Sequence, residues 1–267
     1  MQIKYFDAHC HVQFDAYDTD QDEIIARMKA EGVAGIVVGC DLESSKKAVA
    51  LAEKHENLWA AIGLHPNREA DEWFTPAPYR ELAKSAKVVA VGECGLDYYR
   101  PTVVNDETKR KQKAVLQDQI KLAAGLDKPL IIHSRPSKGT TDAYDDLLGI
   151  LKEAKAQCPN LRGDIHFFVG TPVIARELFA LGFTVSFTAV ITFARDYDEV
   201  VRAAPLTGIL SETDAPYVPP TNRARGSRND PLAVQDVVAK IAEIRGEDVE
   251  DVRAKLLENA KNLFKIA

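Results

Sequence analysis

KVVAVGECGLD, residues 87–97, is an apolar, β-branched run that ends beside an acid, Glu93; PLIIHSR, residues 129–135, repeats the design with His133. Runs this short, bounded by Lys, Gly or Pro, read as buried strands rather than helices. Six more runs of the same kind lie on either side: IKYFDAHCH (3–11), AGIVVGC (34–40), LWAAIGLHP (58–66), GDIHFF (163–168), TVSFTA (184–189) and TGILSETDAP (207–216). Between them, stretches such as DEIIARMKAEG (22–32), SSKKAVALAEKHE (44–56), TKRKQKAVLQDQIKLAAGLD (108–127), DAYDDLLGILKEAKAQ (142–157) and VIARELFALG (173–182) carry apolar residues at three- and four-residue spacing. Those are amphipathic helices, several stopping at Gly. Eight strands alternating with helices predict a closed parallel barrel, the (β/α)8 or TIM architecture, because parallel neighbours need a crossover that is usually a helix. A doubly wound open sheet is the rival, but it usually carries a glycine-rich phosphate loop, and neither GxGxxG nor GxxxxGK[ST] occurs.

The 267 residues match one such barrel, so a single domain over 1–267 is expected. A net charge of −6 predicts solubility without general attraction to polyanions, although a local basic loop can still hold a phosphate. No run approaches the roughly 18 apolar residues of a membrane span, and MQIKYFDAHCH has no long apolar region, so a cytoplasmic enzyme is expected, as a monomer with an oligomer left open. Cys10, Cys40, Cys94 and Cys158 form no close pair and read as reduced thiols. Cys10 lies between two histidines, but strand alternation turns it away from them.

Five of the six histidines fall at strand ends: His9 and His11, His65, His133 and His166. The sixth, His55, reads as a solvated helix-face residue. Glu93 and Asp214 end two further strands, and in a parallel barrel all of these converge on one mouth. Four imidazoles and two carboxylates suit two divalent ions (Mg, Mn or Zn) sharing a bridge. In that division His9, His11 and Asp214 hold one ion, His133 and His166 the other, and Glu93 bridges. Alternation places Val89, Val91 and Glu93 on one face, Ile131, His133 and Arg135 on one face, and Leu210, Glu212 and Asp214 on another. Glu212 then either accepts an N–H from a ligand histidine or forms an ion pair at the barrel wall. His65, before Pro66, contacts substrate, stabilises charge on the leaving group, or caps its strand.

The stretches FDAHCH, GLHP, VGECGLDYY, IIHSR, IHFF, SFTAVITF, ETDAPY and RGSRNDP, in this order from Phe6 to Pro231, together with ENAKNLF near the end, resemble the TatD family of metal-dependent deoxyribonucleases within the amidohydrolase-like barrels. The resemblance implies a TIM barrel, a binuclear divalent-metal site on His9, His11, Glu93, His133, His166 and Asp214, and hydrolysis of phosphodiesters in nucleic acid, often from the 3′ end. Glu93 stands where related barrels carry a carboxylated lysine. The chain departs from the family pattern at Asn67, where a second histidine is common, at the segment following His133, and at Ala189, where glycine is usual.

For phosphate contact the sequence offers Arg135, two residues beyond His133, and an acid-free loop with Arg223, Arg225 and Arg228 after the eighth strand, a common phosphate position in such barrels. Asp214 is the expected proton acceptor from the attacking water. Tyr98, Tyr99 and Phe168 are candidates for stacking on bases. The expected reaction is 3′-5′ exonucleolytic cleavage of single-stranded or frayed DNA; the alternative is an amidohydrolase acting on an amide or lactone with the same site.

Overall fold

A computed structural model describes residues 2–67, 73–100, 104–224 and 226–266. Eight strands run in sequence order, each parallel to the next: β1 (Tyr5–Cys10), β2 (Val33–Val38), β3 (Leu58–Ile62), β4 (Val88–Asp97), β5 (Leu130–Arg135), β6 (Gly163–His166), β7 (Thr184–Phe187) and β8 (Ile209–Ser211). The ring closes just past β8: Asp214 N donates to His9 O and His11 N to Ala215 O, with Cys10 pairing parallel to Ala215. The barrel seam therefore runs through the expected site.

Outside the strands lie α1 (Gln21–Glu31), α2 (Leu42–Lys54), α3 (Pro76–Leu82), α4 (Asp106–Leu126), α5 (Asp142–Gln157), α6 (Pro172–Ala180), α7 (Asp198–Ala203), α8 (Val234–Arg245) and α9 (Val249–Phe264). Helices α3 and α7, of seven and six residues, escape the sequence reading because they are too short to show a period. His55 lies just beyond α2, as its C-cap in extended conformation, rather than on a helix face. One apolar cluster joins the helices to the outer faces of the strands; a second fills the interior with Phe6, Ala8, Ile36, Ile131 and Leu210, closed below by Leu263 and Phe264 of α9. That plug leaves the opposite end as the mouth. No described helix is long and apolar enough to cross a membrane.

Bulges in β1 and β4 set which residues face the mouth. Between Asp7 and Cys10, β1 advances three residues while β2 advances two. Phe6 and Ala8 consequently point inward below the bulge, His9 and His11 above it, and Cys10 packs outward with its thiol on Ile36 O. A second bulge lies between Val91 and Cys94 of β4. With a further register shift between Val88 and Ala90 it corrects the expected face: Val91 packs in the outer cluster, Val89 and Ala90 line the interior, and Glu93 faces the mouth.

The β4 bulge needs glycine on both sides of Glu93. Gly92 and Gly95 have φ of +155° and +141°, and a Cβ on either would overlap the carbonyl oxygen of Ile131 or His133 on β5. Replacing Gly95 by Ala should therefore lower the urea midpoint, at a cost of at least about 2 kcal/mol. Gly149→Ala on the exposed face of α5, where an added Cβ meets nothing, should raise stability by about 0.5–1 kcal/mol. Equal midpoints for the two variants would contradict the close β4–β5 approach.

Candidate active site

Glu93 sits at the middle of the mouth, 4 % exposed, with its two carboxylate oxygens facing different imidazoles. Oε1 is 3.1 Å from His166 Nε2, 3.2 Å from His133 Nδ1 and 3.3 Å from His65 Nε2. Oε2 is 3.5 Å from His9 Nε2 and 3.8 Å from His11 Nε2. Burial pushes this carboxyl up, but His65, His166 and His133 outweigh it and hold it well below the usual carboxylate range. Asp214 completes the His9/His11 side, its Oδ1 3.5 Å from His11 Nε2 and 3.8 Å from His9 Nε2. Burial acts upward on Asp214 as well, and the neighbouring histidines, His11 first, hold it low. Both acids are thus anions.

Hydrogen bonds sort the histidines by the nitrogen that carries the proton. His11 Nδ1 lies 2.8 Å from Val38 O, which can only accept, so the proton is on Nδ1 and the Nε2 lone pair points into the site. His9 Nε2 lies 3.1 Å from that lone pair, and His9 Nδ1 is buried without a hydrogen-bond partner among the described residues. His65 is the reverse: its Nδ1 accepts from Asn67 N at 3.0 Å, so neutral His65 carries its proton on Nε2, toward Glu93. A nitrogen bearing a proton is a donor, not a metal ligand.

Three overlapping sets of potential ligand atoms, His9–His11–Glu93, His9–His166–Asp214 and His65–Glu93–His133, each fall within 4.8 Å of one another. Nε2 of His9 and His11 and two converging carboxylates suit a divalent ion chemically, and His133 and His166 on the other oxygen of Glu93 suit a second. The division differs in detail from the expected one, since His166 stacks on His9 with ring centroids 3.7 Å apart and faces both sides. His65 completes a set geometrically, yet its tautomer makes it the proton-bearing member.

Behind these groups stands a layer that the sequence reading missed. Asp97, four residues beyond Glu93 on β4, is fully buried with Oδ2 3.2 Å from His133 Nε2; it also accepts from Tyr99 N and Arg100 N, pinning the β4–α4 loop. Its spacing from Glu93 was the available signal. Asp7 ties β1 to the seam, accepting from His9 N, Thr213 N and Thr213 Oγ1. Two buried glutamines of α4, seven residues apart, hold neighbouring loops: Gln119 bonds Leu64 N and O, and Gln112 bonds Asp97 N and O and Pro66 O. The Cys40 thiol donates to Glu93 Oε2 at 3.5 Å, neutral because burial and then the Glu93 charge push it up.

Glu212 points inward: Oε1 is 3.3 Å from His166 Nδ1 and accepts from Phe167 N. Its other oxygen shares Ser186 Oγ with Asp164, at 2.8 and 2.5 Å. One hydroxyl hydrogen cannot serve two carboxylates. Burial and then the Glu212 charge push the Asp164 carboxyl up to about 7, so Asp164 is the member able to hold the extra proton.

The arginines divide. Arg135 lies with its guanidinium 4.3 Å over the Tyr99 ring and has no ion pair among the described residues. Arg223 makes a two-pronged pair with Asp230, and Arg228 pairs with Asp20, bonds Ala16 O and stacks on Tyr17. Arg223 thus braces the post-β8 loop internally and Arg228 ties it to the segment between β1 and α1; Arg225 lies outside the described residues. Of the three proposed stacking aromatics, Tyr98 and Phe168 are core residues, Tyr98 with its hydroxyl on Asp146. Burial of apolar ring area outweighs any role at the mouth there. Only Tyr99 is exposed.

A family model described as TatD related DNase matches residues 6–265. A protein from Bacillus subtilis called uncharacterized metal-dependent hydrolase YabD is 39 % identical over 98 % of this chain and 99 % of its own. The protein from Cronobacter sakazakii named 3′-5′ ssDNA/RNA exonuclease TatD is 34 % identical over 97 % of each. The crystal structure of YjjV, a TatD homolog from Escherichia coli, superposes with a TM-score of 0.86 at 32 % identity over the whole of both chains. With that barrel and that mouth, the chain belongs to the TatD-related DNase family of metal-dependent hydrolases.

Proposed function

We propose that the protein is a divalent-metal-dependent phosphodiesterase that releases nucleotides from the 3′ ends of single-stranded or frayed DNA in the cytoplasm. The observation that carries this reading is the Glu93 carboxylate, whose oxygens face two separate imidazole groups; relatives named as 3′-5′ ssDNA/RNA exonucleases support the substrate. His9, His11 and Asp214 would hold one ion, His133 and His166 a second, with Glu93 between. Such ions, Mg, Mn or Zn, supply positive charge at the phosphate and a water acidic enough to attack near neutral pH.

The chain's own groups do the rest. Asp214, an anion at the seam, accepts the proton of the attacking water at its carboxylate. His65 turns a proton-bearing Nε2 into the mouth and stabilises charge on the leaving oxygen as a hydrogen-bond donor, while the proton taken up by Asp214 passes to that oxygen. Arg135, without an ion pair among the described residues and two residues beyond His133, holds a non-bridging phosphate oxygen. Asp97 orients His133 through the ring nitrogen away from Glu93, and Glu212 sets its charge 3.3 Å from His166 Nδ1, an ion-pair distance without hydrogen-bond alignment.

An end-labelled single-stranded oligonucleotide with Mg or Mn should be shortened stepwise from its 3′ end, while a blunt duplex resists. Turnover of an amide or lactone with no oligonucleotide product would replace this reading with the amidohydrolase one. Asp214→Asn should keep the fold and most bound metal yet lower kcat by about 10²–10⁴, the range for a lost general base; near-wild-type turnover at saturating metal would remove Asp214 from that step. Arg135→Ala should reduce kcat/KM on oligonucleotides by about tenfold or more, the scale of a lost charge-assisted contact. An unchanged value would take the arginine off the phosphate.

A further inference from the structure

All four exposed aromatic side chains among the described residues, Trp73, Tyr99, Phe193 and Tyr217, follow the C-terminal ends of strands, β3, β4, β7 and β8 in turn. Folding usually hides such rings, and the opposite end of the barrel hides its own: Phe6 and Phe264 stack there inside the plug. The exposure therefore falls in the segments that follow strand C-terminal ends.

Two of the four are tethered to acids of the site. Tyr99, 52 % exposed, has its backbone N–H on Asp97 Oδ1, the carboxylate that touches His133. Tyr217, 51 % exposed, donates its backbone N–H to Asp214 O, and its ring centroid lies 6.4 Å from that of His11, edge to face. In the strand order β1 to β8, closed at the β1–β8 seam, the β4–β5 end that carries Tyr99 and Arg135 lies across the barrel from the seam that carries Tyr217. Glu93 and its imidazoles lie between them.

We propose that Tyr217 and the Tyr99–Arg135 pair are two base-stacking positions on opposite sides of the centre, taking the bases that flank the scissile phosphate of a single-stranded nucleic acid. The inference rests on the phosphodiesterase reading and adds how the strand is held. Aromatic faces accept any base, which suits an enzyme that must move along a sequence, and a guanidinium against the Tyr99 ring adds positive charge beside the phosphate. An aliphatic rim would fit a protein partner equally well; rings backed by a cation fit bases. Bases still stacked in a duplex cannot enter two walls on opposite sides of one phosphate, so strandedness selection follows from the same geometry.

Steady-state hydrolysis of a single-stranded oligonucleotide, and of the same strand carrying an abasic residue at its 3′-terminal or penultimate position, tests this with Tyr99→Ala, Tyr217→Ala and the two Tyr→Phe variants. Both side chains are half exposed, so the variants should fold, and circular dichroism checks it. Each Ala variant should raise KM on the intact strand by about tenfold to a hundredfold, the worth of one base–aromatic stack, with kcat much less affected. The Phe variants should behave as wild type. Against the abasic strand lacking the matching base, wild type and Ala variant should converge. Ala variants with wild-type KM, or with the same loss on intact and abasic strands, would overturn the stacking positions while leaving the phosphodiesterase standing. Failure of the wild type to cut any oligonucleotide with Mg or Mn would remove both.

Discussion

The structure depends on one buried anion. Glu93 would be costly to bury alone, by several kcal/mol even after relaxation, and it is tolerated because five imidazoles from β1, β5, β6 and the segment after β3 surround it. Those imidazoles come from strands distant in sequence, so the carboxylate acts as the point on which the barrel mouth is assembled. Its position depends in turn on a β4 bulge that only glycine on both sides permits. Fold and site are thus coupled at a single residue.

Around that point the chain fixes its histidines from behind. Val38 O selects the proton position on His11, Asn67 N that on His65, Asp97 takes the far nitrogen of His133, and the Glu212 carboxylate lies 3.3 Å from that of His166. Opposite proton placement on His11 and His65 separates a lone-pair donor from a proton donor within one cluster. The plug of α9 closes the other end, leaving chemistry and substrate a shared entrance.

Most of the barrel was legible because parallel strands buried on both faces leave short apolar runs, and because polar groups at their ends are rare enough to stand out. The six expected metal-binding residues do come together. Strand alternation is a weaker guide: it assumes regular pleating, and irregularities at Ala8–His9, Val88–Ala90 and Gly92–Glu93 shift its phase, which is why Val91 faces outward. Asp97 is visible in VGECGLD only as an acid four residues from Glu93; its approach to His133 is set by the β4–β5 pairing. The pairing of Arg228 with Asp20, 208 residues away, was not visible at all, because a loop cation's partner is set by tertiary approach. The same holds for the exposed rings: from sequence Tyr98 and Tyr99 look alike, yet one is core and the other lies open at the mouth.

The central claim is that Glu93 joins two cation positions. Divalent-metal stoichiometry of the purified protein, measured with Mn by calorimetric titration for the wild type and for Glu93→Gln, tests it most directly. The account predicts about two ions per wild-type chain, as in binuclear hydrolases, and the loss of at least one from the folded variant. A variant that still binds two with unchanged affinity, or a wild type that takes up none, would contradict it.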